Sequence, residues 1–536
     1  MTELEHQAVR ARVEAWLDSE PDADMRAELQ ELLDRSDPAE LADRFTGRLQ
    51  FGTAGLRAAV GAGPQRMNRL VVRQAAAGLA HYLLDTDPTA TKRGVVVGFD
   101  MRRKSDLFAL DTARVMAAYG IPTQLFDGFV PTPVVAWSVV EVDAAAGVVV
   151  TASHNPPADN GYKVFLDDGS QIVSPHDTGI SARIDAVDPL NVPMAPADDP
   201  LITSVGEGLF DAYVASVPAV RLRPDVAGVT VAYSAMHGVG GATLMRAFAA
   251  AGLPEPVVVT EQFEPDGTFP TVSFPNPEEP GAMDLLLAVA AEAGAQIALA
   301  NDPDADRLGA AIPQADGTWR RLGGDEIGWL MADYLLNATS GDDRLAVTTL
   351  VSSSLLGRMA EAAGVTSVET FTGFKWIAHE IRNHPDHQFV FGYEQALGYL
   401  VAQQPRDKDG ITAAVLFAEI AAVAAAAGHT LQDLLDDIAA RFGRHQMADA
   451  SVRMAPAEAA VRVAELRATP PGEIGGREVL TVQEYPEASL LRFELAGGVR
   501  VQVRPSGTEP KVKIYGEAID ADPKPFVAAL AALVAG

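Results

Sequence analysis

The sequence contains no cysteine in 536 residues. That absence excludes disulfides, zinc–thiolate centres and a cysteine nucleophile, so metal ligands must be oxygen or nitrogen; it also fits a reducing, cytoplasmic setting. Positive charge is scarce: 42 Lys and Arg against 72 Asp and Glu leave a formal net charge of −30. A field of that sign repels nucleic-acid phosphates and anionic membranes, and no Lys/Arg cluster reverses it locally, so neither is expected as a partner. A phosphorylated ligand would have to be held by a few local arginines and lysines. Long hydrophobic runs are also missing: no stretch reaches about 18 uncharged apolar residues, and even the Ala-rich segment 413–427 carries Glu419. The first residues are charged from Glu3 onward and lack the apolar centre of a signal peptide. Two common motifs are absent as well: there is no GxxxxGK[ST] loop, and His379-Glu380 is followed by Asn383 where a zinc-protease helix needs its second histidine.

What is present is the balance of a folded globular chain, 48% hydrophobic and 21% charged. At about 100–200 residues per domain the length predicts three to five domains. Val9, Val13, Trp16 and Leu17 share one face of a predicted amphipathic helix. Beyond it the pattern is apolar strand, polar or glycine loop, then Ala-rich helix: 95–97 before Asp100, 147–150 before Thr151, 229–233 before His237 and 297–300 before Asp302. This alternation predicts parallel α/β units, whose ligands sit beyond the carboxyl ends of the strands. The last part changes to a helix followed by strands at 490–495, 499–503 and 512–515, a smaller α+β domain. Boundaries are placed at 1–205, 206–322, 323–444 and 445–536.

Four loops carry candidate chemistry. Thr151-Ala152-Ser153-His154-Asn155-Pro156 holds a serine on a strand-end loop, with Asn155 kept extended by Pro156. A serine beside a histidine is more often part of a turn than a nucleophile; Lys163, ten residues on, is a possible proton carrier for the same site. Asp302-Pro303-Asp304-Ala305-Asp306-Arg307 places carboxylates at alternate positions of an extended loop, a hard-oxygen cluster suited to Mg²⁺. An EF-hand would need Gly at its sixth and Glu at its twelfth position, where this chain has Arg307 and Pro313. Gly392-Tyr393-Glu394-Gln395-Ala396-Leu397-Gly398-Tyr399, with Thr372-Gly373-Phe374-Lys375 before it, offers in Glu394 an acceptor for vicinal sugar hydroxyls, or is simply a tight loop. Arg504-Pro505-Ser506-Gly507-Thr508-Glu509-Pro510 combines a guanidinium, two hydroxyls and glycine-permitted amides into a candidate phosphate nest. Gly238, Gly240 and Gly241 match a nucleotide loop only loosely.

Together these segments, from Phe51-Gly52-Thr53-Ala54-Gly55-Leu56-Arg57 to Arg504–Tyr515, resemble the α-D-phosphohexomutase superfamily of phosphoglucomutases and phosphomannomutases, in the family's order. The resemblance implies an α/β fold of four domains around a central cleft, three related α/β domains with mixed sheets and a smaller C-terminal α+β domain. It implies a mutase that interconverts a sugar 1-phosphate and 6-phosphate, glucose or mannose, through phospho-Ser153 and a sugar bisphosphate that also acts as activator. By the same resemblance Ser153, Asp302, Asp304 and Asp306 bind Mg²⁺. Arg307, Arg57, His154, Lys163 and Lys375 are catalytic, with the two lysines as general acid and base. Glu394 and Gln395 read the sugar, and Arg504, Ser506, Gly507 and Thr508 hold the non-reacting phosphate. The expected partners are small sugar phosphates, with the chain a monomer or homo-oligomer. Ala396 stands where many hexomutases have serine, and the sugar loop with Thr372–Trp376 looks more like the phosphopentomutase and glucose-1,6-bisphosphate synthase branch. Those activities are the alternatives; a sugar-phosphate sensor without turnover is a further one, against which Ser153, the three aspartates and Arg307 stand.

Overall fold

The computed structural model describes residues 3–35, 37–52, 55–506 and 510–536. They form two compact units, Met1–Leu322 with Leu397–Ala426, and Gly323–Ala396 with Ala427–Gly536.

In the first unit the N-terminal helices Glu3–Ser19, Ala23–Arg35 and Pro38–Phe45 precede the first sheet. Val13 and Trp16 are buried, Val9 and Leu17 pack beside them, and Trp16 meets Phe45 edge-on at 6.0 Å, so the predicted helix face is a packing face. The first sheet orders its strands Leu56–Ala59, Asp159–Leu166, Ala146–Val150, Val95–Phe99, Thr123–Leu125 and Ile202–Ser204. Val95–Phe99 pairs in parallel with Ala146–Val150 and Thr123–Leu125, whereas Asp159–Leu166 runs antiparallel to its neighbours, so the sheet is mixed. Val95–Phe99 and Ala146–Val150 are buried along their whole length, as central parallel strands covered on both faces must be, and this is why they read as unbroken apolar runs. Each fully buried valine contributes roughly 1.5–3 kcal/mol.

The second sheet of this unit orders Trp319–Arg321, Leu308–Pro313, Ile297–Asn301, Val231–Ser234 and Val257–Val258, again mixed. The helix Gly410–Ala426 packs against its strands Ile297–Asn301 and Leu308–Pro313. That helix is apolar nearly all round and buried; its one carboxylate, Glu419, is matched by Arg221 Nε at 2.8 Å. Among the described residues no single helix is long and apolar enough to cross a membrane.

The second unit contains the parallel strands Thr366–Thr370, Arg344–Thr349 and Gln388–Glu394, in that order. A six-stranded antiparallel sheet follows: His445–Arg453, Lys511–Ile519, Val499–Pro505, Leu490–Leu495, Arg477–Tyr485 and Glu473–Ile474. The helices Pro456–Ala468 and Lys524–Ala535 bury their apolar stripes on it. The expected architecture of three α/β segments and a C-terminal α+β segment is therefore present.

Candidate active site

Ser153 lies just past the carboxyl end of the buried strand Ala146–Val150 and is itself buried. Its backbone is left-handed, φ 52°, a conformation that costs a non-glycine residue about 1 kcal/mol and persists only where the surroundings impose it. The imposing group is Arg102. Its Nη2 donates to the carbonyls of Ser153 and Asn155 at 2.5 and 2.7 Å, and its Nη1 to those of Pro156 and Asp159 at 2.9 and 3.1 Å. Asp100, 3.2 Å from Arg102 Nε, balances the buried charge. Thr151 Oγ1 accepts from the Ser153 amide at 2.9 Å. So held, Ser153 Oγ donates to Asp302 Oδ2 at 2.9 Å and lies 3.2 Å from His154 Nδ1. Burial, then the charges of Arg307 and Arg57, push His154 well below the usual histidine range, so its ring is neutral. Arg57 Nη1 donates to Asn155 Oδ1 at 3.1 Å, which puts this guanidinium on the serine loop.

The loop between strands Ile297–Asn301 and Leu308–Pro313 carries the three aspartates, all buried, and one oxygen from each lies within 4.8 Å of the others. Ala305 is left-handed at φ 57°. Close backbone approach fixes the loop: a Cβ on Gly238 would come within 2.5 Å of Pro303, and one on Gly410 would collide with the Arg307 carbonyl. Thr132 fixes it from another side, its amide donating to the Asp304 carbonyl at 2.9 Å and its hydroxyl to Asp304 Oδ2 at 2.6 Å. Lys163, from the strand Asp159–Leu166, reaches Asp304 Oδ2 and Asp306 Oδ2 at 2.6 and 2.9 Å. Lys408 stands 3.4 Å from Asp306 Oδ2. The other oxygens, Asp304 Oδ1 and Asp306 Oδ1, are buried without a hydrogen-bond partner. Hard oxygens gathered from three buried carboxylates, with one on Asp304 and one on Asp306 unpartnered, fit Mg²⁺.

Electrostatics divide the cluster. Burial, then the charges of Asp304 and Asp306, hold Asp302 well above the usual carboxylate range. For Asp304 burial pushes up, but the charge and hydrogen bond of Lys163 with the hydroxyl of Thr132 outweigh it and hold the carboxyl down. Lys163 is pushed down by burial and more strongly up by the two aspartates, so it keeps its proton. Arg307 donates its amide to Asp302 Oδ1 at 3.0 Å, and its guanidinium sits 4.0 Å from Asp302 Oδ2 and 3.4 Å from Glu278.

The remaining candidates belong to the second unit. The register pairs Thr349 with Thr370 and Thr348 with Tyr393, so Glu394 at the end of its strand, Ser352 in the loop after Arg344–Thr349 and the segment that leads from Thr366–Thr370 to Lys375 share one carboxyl edge. Glu394 is buried with Oε2 unpartnered, an acceptor with hydrogen-bonding capacity to spare. Gln395 is pinned by Ser352, whose hydroxyl donates to Gln395 Oε1 and accepts from its amide, both at 3.1 Å. Lys375 opens the helix Phe374–Asn383 behind Gly373, whose φ of 112° turns the chain there. Arg504 is the penultimate residue of the strand Val499–Pro505, with Nη2 3.5 Å from the Tyr515 hydroxyl and Nε unpartnered, and Ser506 donates its amide to the Lys511 carbonyl at 2.8 Å. Burial raises Tyr515, Arg504 lowers it, and Asp449 and Glu394 raise it, so the charges of Arg504 and Glu394 both reach one phenol. Gly507 and Thr508 lie outside the described residues.

Sequence reasoning missed Arg102, Thr132 and Lys408. Arg102 follows Asp100 at the end of the 95–97 run and Lys408 lies in Asp407-Lys408-Asp409 before an apolar helix, so both had a positional signal; Thr132 had none.

Four family models cover the chain: phosphoglucomutase/phosphomannomutase alpha/beta/alpha domain I at residues 48–190, domain II at 211–317, domain III at 323–442 and the C-terminal domain at 452–526. A Haemophilus influenzae protein named "Probable phosphomannomutase" is 43% identical, the match spanning 85% of this chain and 94% of that protein. The human phosphopentomutase is 34% identical over 91% of this chain and 87% of its own length. A Burkholderia thailandensis phosphoglucomutase/phosphomannomutase family crystal structure shares the fold, with TM-score 0.72 at 21% identity over 91% of this chain and 97% of that one. With the same four domain types in the same order along its length, this chain belongs to the phosphoglucomutase/phosphomannomutase family of phosphosugar mutases.

Proposed function

We propose that the chain moves a phosphoryl group between the C1 and C6 oxygens of a hexose phosphate, glucose or mannose, through phospho-Ser153. The observation that carries this reading is the Ser153 hydroxyl, 2.9 Å from a carboxylate of the buried aspartate cluster and held there by a strained, over-determined loop. In the first half-reaction a sugar hydroxyl oxygen attacks the phosphorus of phospho-Ser153 as the P–Oγ bond breaks, the hydroxyl giving its proton to a base and Ser153 Oγ gaining one; the bisphosphate then turns, and in the second Ser153 Oγ attacks the other phosphorus as its bond to the sugar oxygen breaks, Ser153 giving up its proton and the sugar oxygen gaining one. Lys163 and Lys375 are the proposed proton carriers. Arg307 and Arg57 stabilise charge on the transferring oxygens, and His154 orients Ser153 Oγ. Asp302, Asp304 and Asp306 with Ser153 would hold Mg²⁺, which supplies charge neutralisation of a phosphoryl oxygen. Glu394 and Gln395 read hydroxyls, and Arg504, Ser506, Gly507 and Thr508 hold the other phosphate. A sugar bisphosphate primes Ser153, and the four domains divide at residues 205, 322 and 444.

The hexose is supported by the relative named for mannose at 43% identity. A pentose is the second reading, supported by Ala396 in the sugar loop and by the phosphopentomutase relative. Measuring kcat/KM for glucose, mannose, ribose and deoxyribose 1-phosphates with trace bisphosphate separates them. At least tenfold preference for a hexose is expected; the same preference for a pentose overturns the first reading, and turnover by Ser153→Ala overturns the mechanism.

A further inference from the structure

Asp325 is a buried carboxylate that the mechanism above does not use, and it packs behind the sugar loop from the first turn of the helix Gly324–Ala338. Its Oδ1 accepts from the Tyr393 hydroxyl at 2.8 Å and from the Ser353 amide at 2.7 Å. Tyr393 is the residue before Glu394, and Ser353 follows the Ser352 that pins Gln395, so one oxygen ties together the two segments that carry the loop. Glycines in the helix allow this approach: a Cβ on Gly324 would collide with the Gln395 carbonyl, and one on Gly328 would come within 2.7 Å of the Tyr393 ring. Thr348 Oγ1, donating to the Tyr393 carbonyl at 2.9 Å, fixes the backbone of the same residue.

We propose that Asp325 is a positioning residue that sets Glu394 and Gln395 for reading sugar hydroxyls, through the Tyr393 hydroxyl and the Ser353 amide. The proposal rests on the reading that Glu394 and Gln395 contact the sugar. The choice of side chain supports it. The titratable and charged groups facing Asp325 are Tyr393 and, from the C-terminal sheet, Glu517 and Arg500; behind Glu517 stands His445, its Nδ1 2.7 Å from Glu517 Oε1. Burial pushes Asp325 up and the charge of Glu517 adds to it, while the Ser353 amide, the Tyr393 hydroxyl and Arg500 pull it down, which leaves it at about 7 against the ordinary 3.8. A carboxyl whose folded value is raised weakens the fold as pH climbs from 3.8 towards 7, so above pH 7 an ionised Asp325 costs stability that an amide of the same shape would not. Asparagine would supply the same position, since its oxygen also accepts two hydrogen bonds. What the carboxylate adds is strength, because a hydrogen bond to a charged acceptor is roughly twice as strong as a neutral one. The hold on Tyr393 therefore tightens as Asp325 ionises.

The test measures kcat and KM of the whole chain for glucose, mannose, ribose and deoxyribose 1-phosphates, with trace sugar bisphosphate, from roughly pH 5.5 to 8.5, together with urea unfolding. At the upper pH, Asp325→Asn and Tyr393→Phe should raise KM more than they lower kcat, and unequally among sugars, changing the ratio of hexose to pentose kcat/KM by about fivefold or more. The Asp325→Asn protein should be no less stable than wild type there. Its deficit in kcat/KM against wild type should shrink towards none at the lower pH, where wild-type Asp325 is itself uncharged; comparing the two proteins cancels the titration of the substrate. An unchanged sugar ratio at the upper pH, or a deficit of the same size at both ends, overturns the proposal, as does a loss that is equal for all four sugars and follows a lowered stability. If Asp325→Asn does not fold, Tyr393→Phe, which removes a single hydroxyl, decides it on the sugar ratio. Glu394→Gln separates the two levels: if it alters all four sugars alike, the sugar-reading role of that loop has failed; if it discriminates among them while Asp325→Asn and Tyr393→Phe do not, only the role of Asp325 has failed.

Discussion

Arg102 gives the sharpest perturbation of the serine loop. In Arg102→Lys the ammonium can still balance Asp100, but it lacks the fork that reaches the carbonyls of Ser153, Asn155, Pro156 and Asp159. Losing about three of these four bonds, at roughly 0.5–1.5 kcal/mol each, removes about 1.5–4.5 kcal/mol from the loop. Part of that is the constraint that keeps Ser153 left-handed, so the serine relaxes away from Asp302 and the phosphoryl-accepting geometry is populated less. The expectation is a kcat reduced by roughly tenfold or more with the fold intact, whereas Arg102→Ala, which strands Asp100 as an unpaired buried charge, costs about 3–5 kcal/mol and threatens the fold itself. Two measurements are needed: urea unfolding for stability, and intact mass after incubation with a sugar bisphosphate for the rate of Ser153 phosphorylation. A stably folded Arg102→Lys protein that is phosphorylated and turns over at the wild-type rate would refute the idea that this guanidinium sets the loop.

Arg504→Ala should weaken all four sugar monophosphates alike, by about 1.5–3 kcal/mol or roughly 10- to 150-fold, while Glu394→Gln should affect them unequally; kcat/KM for each decides, and the reverse pattern would exchange the roles of the two loops. Glu517 links Ser353 to Arg500 and His445 in the second unit; burial pushes it up, but Arg500 and the hydrogen bonds of His445 and Ser353 bring it down to about 2 from the ordinary 4.5. Its folded value is depressed, so its stabilisation, about 3 kcal/mol, is present above pH 4.5 and lost as pH falls through 2. Glu517→Gln should accordingly lower the unfolding free energy at pH 7 and approach wild type near pH 2; an equal deficit at both pH values would show that charge is not the cause.

The parts of the site that could be read from the chain are those that a strand delivers. Val95–Phe99, Ala146–Val150 and Ile297–Asn301 are buried on both faces, so each is an unbroken apolar run with a visible end, and Asp100, Ser153 and Asp302 stand just beyond those ends. The alternate carboxylates of 302–306 were legible for a further reason: their chemistry needs no distant partner to be recognised. What could not be read is what crosses the sequence. Thr132 serves Asp304 from 172 residues away, and Lys163 from 141. The helix Gly410–Ala426 is apolar on every side, so its pattern says that it is buried and not against what. Lys163 shows the limit most directly. Its sequence position fits a proton carrier, yet Asp304 and Asp306 hold its proton in place in the structure. For Lys163 to release that proton the charge of those two carboxylates must first be taken up by something else, and the unpartnered Oδ1 atoms beside it are where a divalent ion would take it up. The proposed proton transfer by Lys163 and the proposed metal binding by the aspartates would thus be one electrostatic problem, because both draw on the same two carboxylates.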